Sequence, residues 1–291
     1  MTTNGSAASD PEIIAHRGFS GRYPESTHGS YQAAIAYAEE HDLELGLECD
    51  VHFSADDQLI CLHDLDLDRT SDVTGPAFAR TVDELRQVDF GSWFMPDPRP
   101  QDRMITTLVE LLDMIAAARN RGVRITLNLE TKHPNPRGLE VEDRVAELLT
   151  ERGWAGADSP IRVITFFPDA LVKLREVLPQ LRRTFLISDL SRAGDGVLPD
   201  GVWIVGPDLE RVREDPDWVG RMIAAGNQVH VWTVNTPADV RFCLDLGVTG
   251  FTTDFPDVVA ETLSREGSDI PQYAPRVVSE DSRPGTTHRR Y

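Results

Sequence analysis

The chain has 291 residues, 40% of them hydrophobic and 26% charged, a globular composition with enough apolar material for a sizeable core. Its formal net charge of −19 sets it against nucleic acid and anionic membranes, though not against a small anion drawn to a bound cation. Three cysteines, Cys49, Cys61 and Cys243, are too few and too odd for a disulfide framework and fit a reducing compartment.

Residues 1–10 are small and polar. They lack a basic stretch followed by an apolar run, so no signal peptide is expected and they read as a disordered lead-in. Eight β-rich runs follow: Ile13–His16, Leu45–Phe53, Val123–Glu130, Ile161–Phe166, Arg183–Ile187, Val202–Val205, Gln228–Val234 and Gly250–Thr253. Amphipathic helical patterns fill most gaps, at Ser26–Glu40, Leu108–Arg119, Val141–Glu151, Asp169–Leu178, Asp217–Ala225 and Pro237–Leu246, with only a weak candidate between Ile187 and Val202. This alternation predicts a parallel α/β sheet, and eight units favour a (β/α)8 barrel, with an open doubly wound sheet as the alternative. Residues 265–291 are rich in Gly, Ser, Pro, Asp and Arg and read as a flexible tail, leaving 11–264 for the barrel. No apolar run approaches membrane-spanning length, so a cytoplasmic protein is expected, with its oligomeric state left open.

One run breaks the pattern. Gln58–His63 follows the second strand too closely for a parallel crossover, so it should fold back as an antiparallel arm about a turn at Asp56-Asp57. A two-residue turn there would set position 50 opposite position 63, and a three-residue turn would shift that register. Beyond the arm lies a long excursion, residues 64–107, with one short helix near Thr81–Val88. Loops of that length tend to be functional.

Strand alternation selects the candidate chemistry. In the second strand Leu45, Leu47, Cys49 and Val51 share one face, and Gly46, Glu48, Asp50 and His52 share the other. In a barrel the second set points inward, so two carboxylates project into the interior near the strand's C-terminal end. They need a cation or several donors, because unpaired burial would be very costly. Asn128, Glu130 and Lys132 repeat the arrangement on the third strand. Glu48, Asp50 and Glu130 therefore form a hard-oxygen set suited to Mg²⁺ or Ca²⁺ rather than zinc, buried salt bridges being the structural alternative. His16 and His63 end the first strand and the hairpin arm, and Trp232 faces inward on the seventh strand, as core or as pocket wall.

Taken in order, these pieces resemble the glycerophosphodiester phosphodiesterase family. The match runs through His16-Arg17-Gly18, Pro24-Glu25, Glu48-Cys49-Asp50-Val51, Leu62-His63-Asp64, Leu67-Asp68-Arg69-Thr70 and Gly75. It continues through Phe90-Gly91-Ser92-Trp93-Phe94, Leu129-Glu130-Thr131-Lys132, Val231-Trp232-Thr233-Val234-Asn235 and Thr253-Asp254-Phe255-Pro256, spanning roughly residues 12–262. The resemblance implies a TIM barrel whose small insertion is the excursion after His63-Asp64. It implies one divalent cation on Glu48, Asp50 and Glu130, with Mn²⁺ possible besides Mg²⁺ or Ca²⁺. It also implies acid–base roles for His16 and His63, and phosphate contacts from Arg17 and Lys132. The reaction implied is hydrolysis of a small-molecule glycerophosphodiester to glycerol 3-phosphate and an alcohol, by attack of the glycerol 2-hydroxyl or of water.

Two departures stand out: Ser26 where the family usually has Asn, and Phe166-Phe167 where it often has Ser-Phe. Related expectations are a lysophospholipase D-like or sphingomyelinase D-like activity. A glycosidase on the same fold would not need two histidines, an arginine and a lysine at one rim. A catalytically silent binding protein would not need both histidines intact.

Overall fold

The computed structural model describes residues 11–194 and 196–266. The expected lead-in, 1–10, and residues 267–291 of the expected tail lie outside these. Residues 265 and 266 close the last helix rather than opening a tail.

The parallel strands are β1 (Glu12–Ala15), β2 (Leu45–Phe53), β5 (Ile125–Thr131), β6 (Ile161–Thr165), β7 (Arg182–Ile187), β8 (Ile204–Pro207), β9 (Gln228–Trp232) and β10 (Gly250–Thr253). The sheet closes where β1 pairs with β10 on one side and with β2 on the other. The result is an eight-stranded parallel barrel with helices between strands. The open-sheet alternative is thereby excluded. The sixth strand lies two residues later than Val202–Val205 predicts, because Pro199–Val202 forms a turn.

The surrounding helices are α1 (His28–Glu40), α4 (Leu108–Asn120), α5 (Glu140–Glu151), α6 (Pro168–Val177), α7 (Leu209–Glu214), α8 (Asp217–Ala224), α9 (Pro237–Asp245) and α10 (Pro256–Glu266). Between β7 and β8 a short 3₁₀ turn, Leu190–Ala193, is the one helical element among the described residues. Their starts are written locally. Thr107 and Glu110 cap α4 reciprocally, and Thr236 and Asp239 do the same for α9. The main core lies between strands and helices, where Leu45, Leu47, Cys49 and Val51 are fully buried, as the alternation predicts.

The excursion is folded rather than loose. The arm carries β3 (Leu59–Cys61), and the excursion contains α2 (Val82–Leu85), α3 (Pro100–Arg103) and β4 (Thr106–Thr107). Ile60, Leu62, Leu67, Leu85, Phe90 and Ile105 give it a second core of its own. β3 pairs antiparallel with β2, but Val51 faces Cys61 and Phe53 faces Leu59. The turn is therefore a three-residue one, Ala55 to Asp57, closed by Ser54 N–H donating to Gln58 O at 2.8 Å. The register expected from a two-residue turn is corrected by one position: Leu62, not His63, stands opposite Asp50.

Candidate active site

Most candidates sit at or just beyond the C-terminal end of a barrel strand or of the hairpin arm, while Glu48 and Asp50 point inward from within β2. Asp50 and Glu130 are register partners on β2 and β5, so period-two alternation sends both side chains inward with Glu48. Glu48, Asp50 and Glu130 are 3%, 1% and 6% exposed, and an oxygen from each lies within 4.8 Å of the others. The structure thus brings the three expected oxygen donors together.

Two cations meet these three carboxylates. The Lys132 Nζ lies 3.0 Å from Asp50 Oδ1 and 2.9 Å from Glu130 Oε1. Arg17 donates its backbone N–H to Glu48 Oε2 at 2.9 Å and brings Nε within 3.3 Å of Asp50 Oδ2. Its backbone is left-handed, at φ 56°, and Gly18 follows at φ 83°. A Cβ on Gly18 would stand 2.5 Å from Ser30 Oγ, so glycine is required where the chain turns the Arg17 amide onto Glu48.

The charge count does not close. Burial, and next the Asp50 charge, push Glu48 well up and Glu130 to a pKa of about 8. Burial pushes Asp50 up as well, but Lys132, Arg17, His63 and His16 outweigh it and hold Asp50 low. Without further positive charge the cluster keeps a proton on a glutamate. Asp50 Oδ2 also has no hydrogen-bond partner among the described residues. A hard divalent cation fits this donor set and would release that proton.

His16 and His63 both bear on Asp50 electrostatically, and each is held by a carboxylate. His16 Nδ1 donates to Asp254 Oδ1 at 2.7 Å. Ser20 and Asn235 donate to the same carboxylate. His63 Nδ1 donates to Asp64 Oδ1 at 2.6 Å. With Nδ1 committed in both rings, Nε2 is the atom left to exchange protons. Burial lowers the His63 pKa, with Lys132 and Arg17 adding to it, so the ring is neutral at neutral pH and able to accept a proton. His63 reaches the site by its own support, not by the strand register. His52, assigned no role from sequence, donates from Nε2 to His63 O at 3.1 Å and fixes the backbone there.

Glu25 and Arg69, which lie in the Pro24-Glu25 and Leu67-Asp68-Arg69-Thr70 motifs, also join the site. Arg17 Nη1 donates to Glu25 Oε1 at 2.8 Å, and Arg69 grips Glu25 through both terminal nitrogens at 2.8 Å each. Arg69 Nε then donates to Asp64. A continuous charged chain, Arg17–Glu25–Arg69–Asp64–His63, thus ties the first loop to the excursion. Asp254 carried a sequence signal that went unused. Ala15 pairs with Thr253, so the next residues, His16 and Asp254, emerge side by side once the barrel is closed.

Trp232 faces the rim. It donates from Nε1 to Gly206 O at 2.9 Å, and Phe166 meets its ring edge-on at a centroid distance of 5.6 Å. Ser26 is buried at φ 58°. This is a left-handed position that Asn tolerates better than Ser.

Residues 16–258 match the model of the glycerophosphoryl diester phosphodiesterase family. A probable glycerophosphodiester phosphodiesterase 1 of Mycobacterium tuberculosis is 33% identical over 258 residues, covering 86% of this chain and 91% of that protein. A glycerophosphodiester phosphodiesterase of Bacillus subtilis is 31% identical, covering 84% of each. Among solved structures, an Oleispira antarctica phosphodiesterase in complex with the product sn-glycerol-3-phosphate superposes with a TM-score of 0.75 at 27% identity. The match covers 87% of this chain and 97% of that one.

Proposed function

We propose a cation-dependent cleavage of glycerophosphodiesters to glycerol 3-phosphate and a free alcohol for this chain, which belongs to the glycerophosphoryl diester phosphodiesterase family. The chain is a phosphoric diester hydrolase. The observation that carries the finer reading is the charge deficit at Glu48, Asp50 and Glu130, set between two carboxylate-supported histidines.

Those three carboxylates would hold one divalent ion, Mg²⁺ or Ca²⁺, with Mn²⁺ a possible substitute. When bound it supplies charge neutralisation at a phosphoryl oxygen. The remaining work falls to the chain itself. Arg17, held in place by Glu25, presents fixed positive charge to the phosphate, and Lys132, which pairs with Asp50 and Glu130 here, would turn its ammonium to it once a cation takes those carboxylates. One histidine takes the proton of the attacking hydroxyl or water at Nε2, and the other returns one to the departing alcohol. Asp254 and Asp64 hold the rings so that Nε2 does this. Trp232 and Phe166 wall the rim against water. The substrate is a small molecule, in keeping with the bound product of the Oleispira relative.

The test is a chelated sample assayed on glycerophosphocholine with glycerol 3-phosphate as readout. Activity should vanish and return with Mg²⁺, Mn²⁺ or Ca²⁺. Full turnover in excess chelator, with no metal by elemental analysis, would remove the cation from the account.

A further inference from the structure

At the opposite end of the barrel, where the strands begin, a cavity of about 770 Å³ opens among Glu12, Gly46, Asn128, Arg162, Arg182 and the end of α10. TIM barrels usually fill this level with branched apolar side chains. Here the inward residues are polar. Arg162 and Arg182 are register partners on β6 and β7, so two guanidinium groups stand side by side. Arg162 is only 4% exposed. Its terminal nitrogens bind Glu12 through two bonds of 2.8 Å, and Nη1 also donates to Asn128 Oδ1 at 3.1 Å. That bond fixes the Asn128 amide with its Nδ2 over Gly46, where a Cβ would stand 3.2 Å from it. His230 accepts from Arg162 at Nδ1, and a Cβ on Gly250 would stand 2.4 Å from its ring. Burial, and next the Arg162 charge, lower His230 to a pKa of about 3, so it is neutral.

Two observations point to a missing partner. Arg182 lines the cavity, and its Nη1 makes no hydrogen bond among the described residues. Arg182 has one long contact, from Nη2 to Ser159 O at 3.5 Å, and no carboxylate pairs with it among the described residues. The inner set therefore carries two guanidinium charges against one carboxylate, Glu12. Glu44 and the Asp42–Arg124 pair stand exposed at the mouth, where water screens them.

We propose that this floor cavity is a second binding site, for a small oxyanion of one negative charge, carboxylate or phosphate, received by the terminal N–H groups of Arg182 and the amide of Asn128. Planar N–H donors suit such an oxyanion. Ile13, Leu43 and Leu263 would pack a short apolar group attached to it. The proposal does not depend on the chemistry assigned to the other end.

Calorimetric titration of the full chain with inorganic phosphate tests it, at fixed ionic strength, mildly acidic pH and without divalent cation. A Lys132→Met background weakens phosphate capture at the catalytic end. In that background one binding event should remain, and Arg182→Met should weaken it about tenfold or more, the loss expected of one charge-assisted hydrogen bond. Arg182→Lys, which keeps the charge but loses the planar guanidinium fork, should fall between. Arg182→Met alone should leave glycerophosphodiester turnover and melting temperature unchanged. Absence of phosphate binding in Lys132→Met, or binding indifferent to Arg182→Met, would overturn the proposal. Loss of turnover in Lys132→Met bears only on the catalytic end.

Discussion

Asp254→Asn separates the support of His16 from His16 itself. The carboxylate receives three donors: His16 Nδ1 at 2.7 Å and Ser20 Oγ at 3.0 Å on Oδ1, and Asn235 Nδ2 at 2.7 Å on Oδ2. An amide offers one oxygen. Its NH₂ must face either Asn235, donor against donor, or His16. In the second case His16 accepts at Nδ1 and carries its proton on Nε2, the wrong atom for taking one. The lost charge-assisted bond is worth about 1.5–3 kcal/mol in general. Asp254 is 29% exposed at its side chain, so the lower value applies, about tenfold in rate. A reversed tautomer costs far more, about 10⁴ in the serine-protease triad. Between these bounds we expect kcat on glycerophosphocholine to fall about 10²–10³-fold with KM little changed and the fold intact by thermal melting. In a His16→Ala background the same substitution should cost less than about threefold, since residues acting as a unit are not additive. A kcat within threefold of wild type, or an equal loss with and without His16, would refute the orienting role.

Replacing His63 by Ala should lower kcat by about 10²–10⁴ without unfolding the chain, and near wild-type turnover would show the ring to be a bystander. Glycerophosphocholine, glycerophosphoethanolamine and glycerophosphoglycerol should be cleaved with kcat/KM values within about tenfold, because the assigned residues address phosphate and metal rather than head group. Bis(p-nitrophenyl) phosphate should be much poorer, and a strong preference for one head group would contradict this. At the barrel floor, burial pushes Glu12 up, but its bonds from Arg162 prevail and lower it from 4.5 to about 2. Its contribution to stability is complete above pH 4.5 and is lost as pH falls toward 2. Glu12→Gln should therefore flatten the acid limb of a melting-temperature profile in that window, and an unchanged limb would mean that the pair does not govern it.

Much of this was written in the chain. Period-two alternation in Leu45–Phe53 placed Glu48 and Asp50 inside the barrel, and the structure agrees because the same residues bury Leu45 and Leu47 against helices. The hairpin register was not legible. It hinged on Ser54, whose backbone and hydroxyl both bond Gln58 and lengthen the turn to three residues. His63 still bears on Asp50 electrostatically, held by Asp64 and His52, which strand counting does not see. The partnership of His16 with Asp254 spans 238 positions and becomes visible only when β10 closes on β1. The excursion's own fold is not legible because Leu67, Leu85 and Phe90 are too scattered to show a period, yet with Ile60 of the arm they assemble into a second core. Glu12 and Arg162, on different strands, signalled nothing until the barrel brought them together.

The most direct test of the account is a crystal of the chain soaked in Mn²⁺ and measured at the manganese edge. One anomalous peak should appear with a carboxylate oxygen of Glu48, Asp50 and Glu130 each in coordinating contact, and the Lys132 ammonium should turn from Asp50 and Glu130 toward the phosphate position. An ion bound elsewhere, or an empty triad in crystals whose dissolved protein cleaves glycerophosphocholine at full rate, would contradict it.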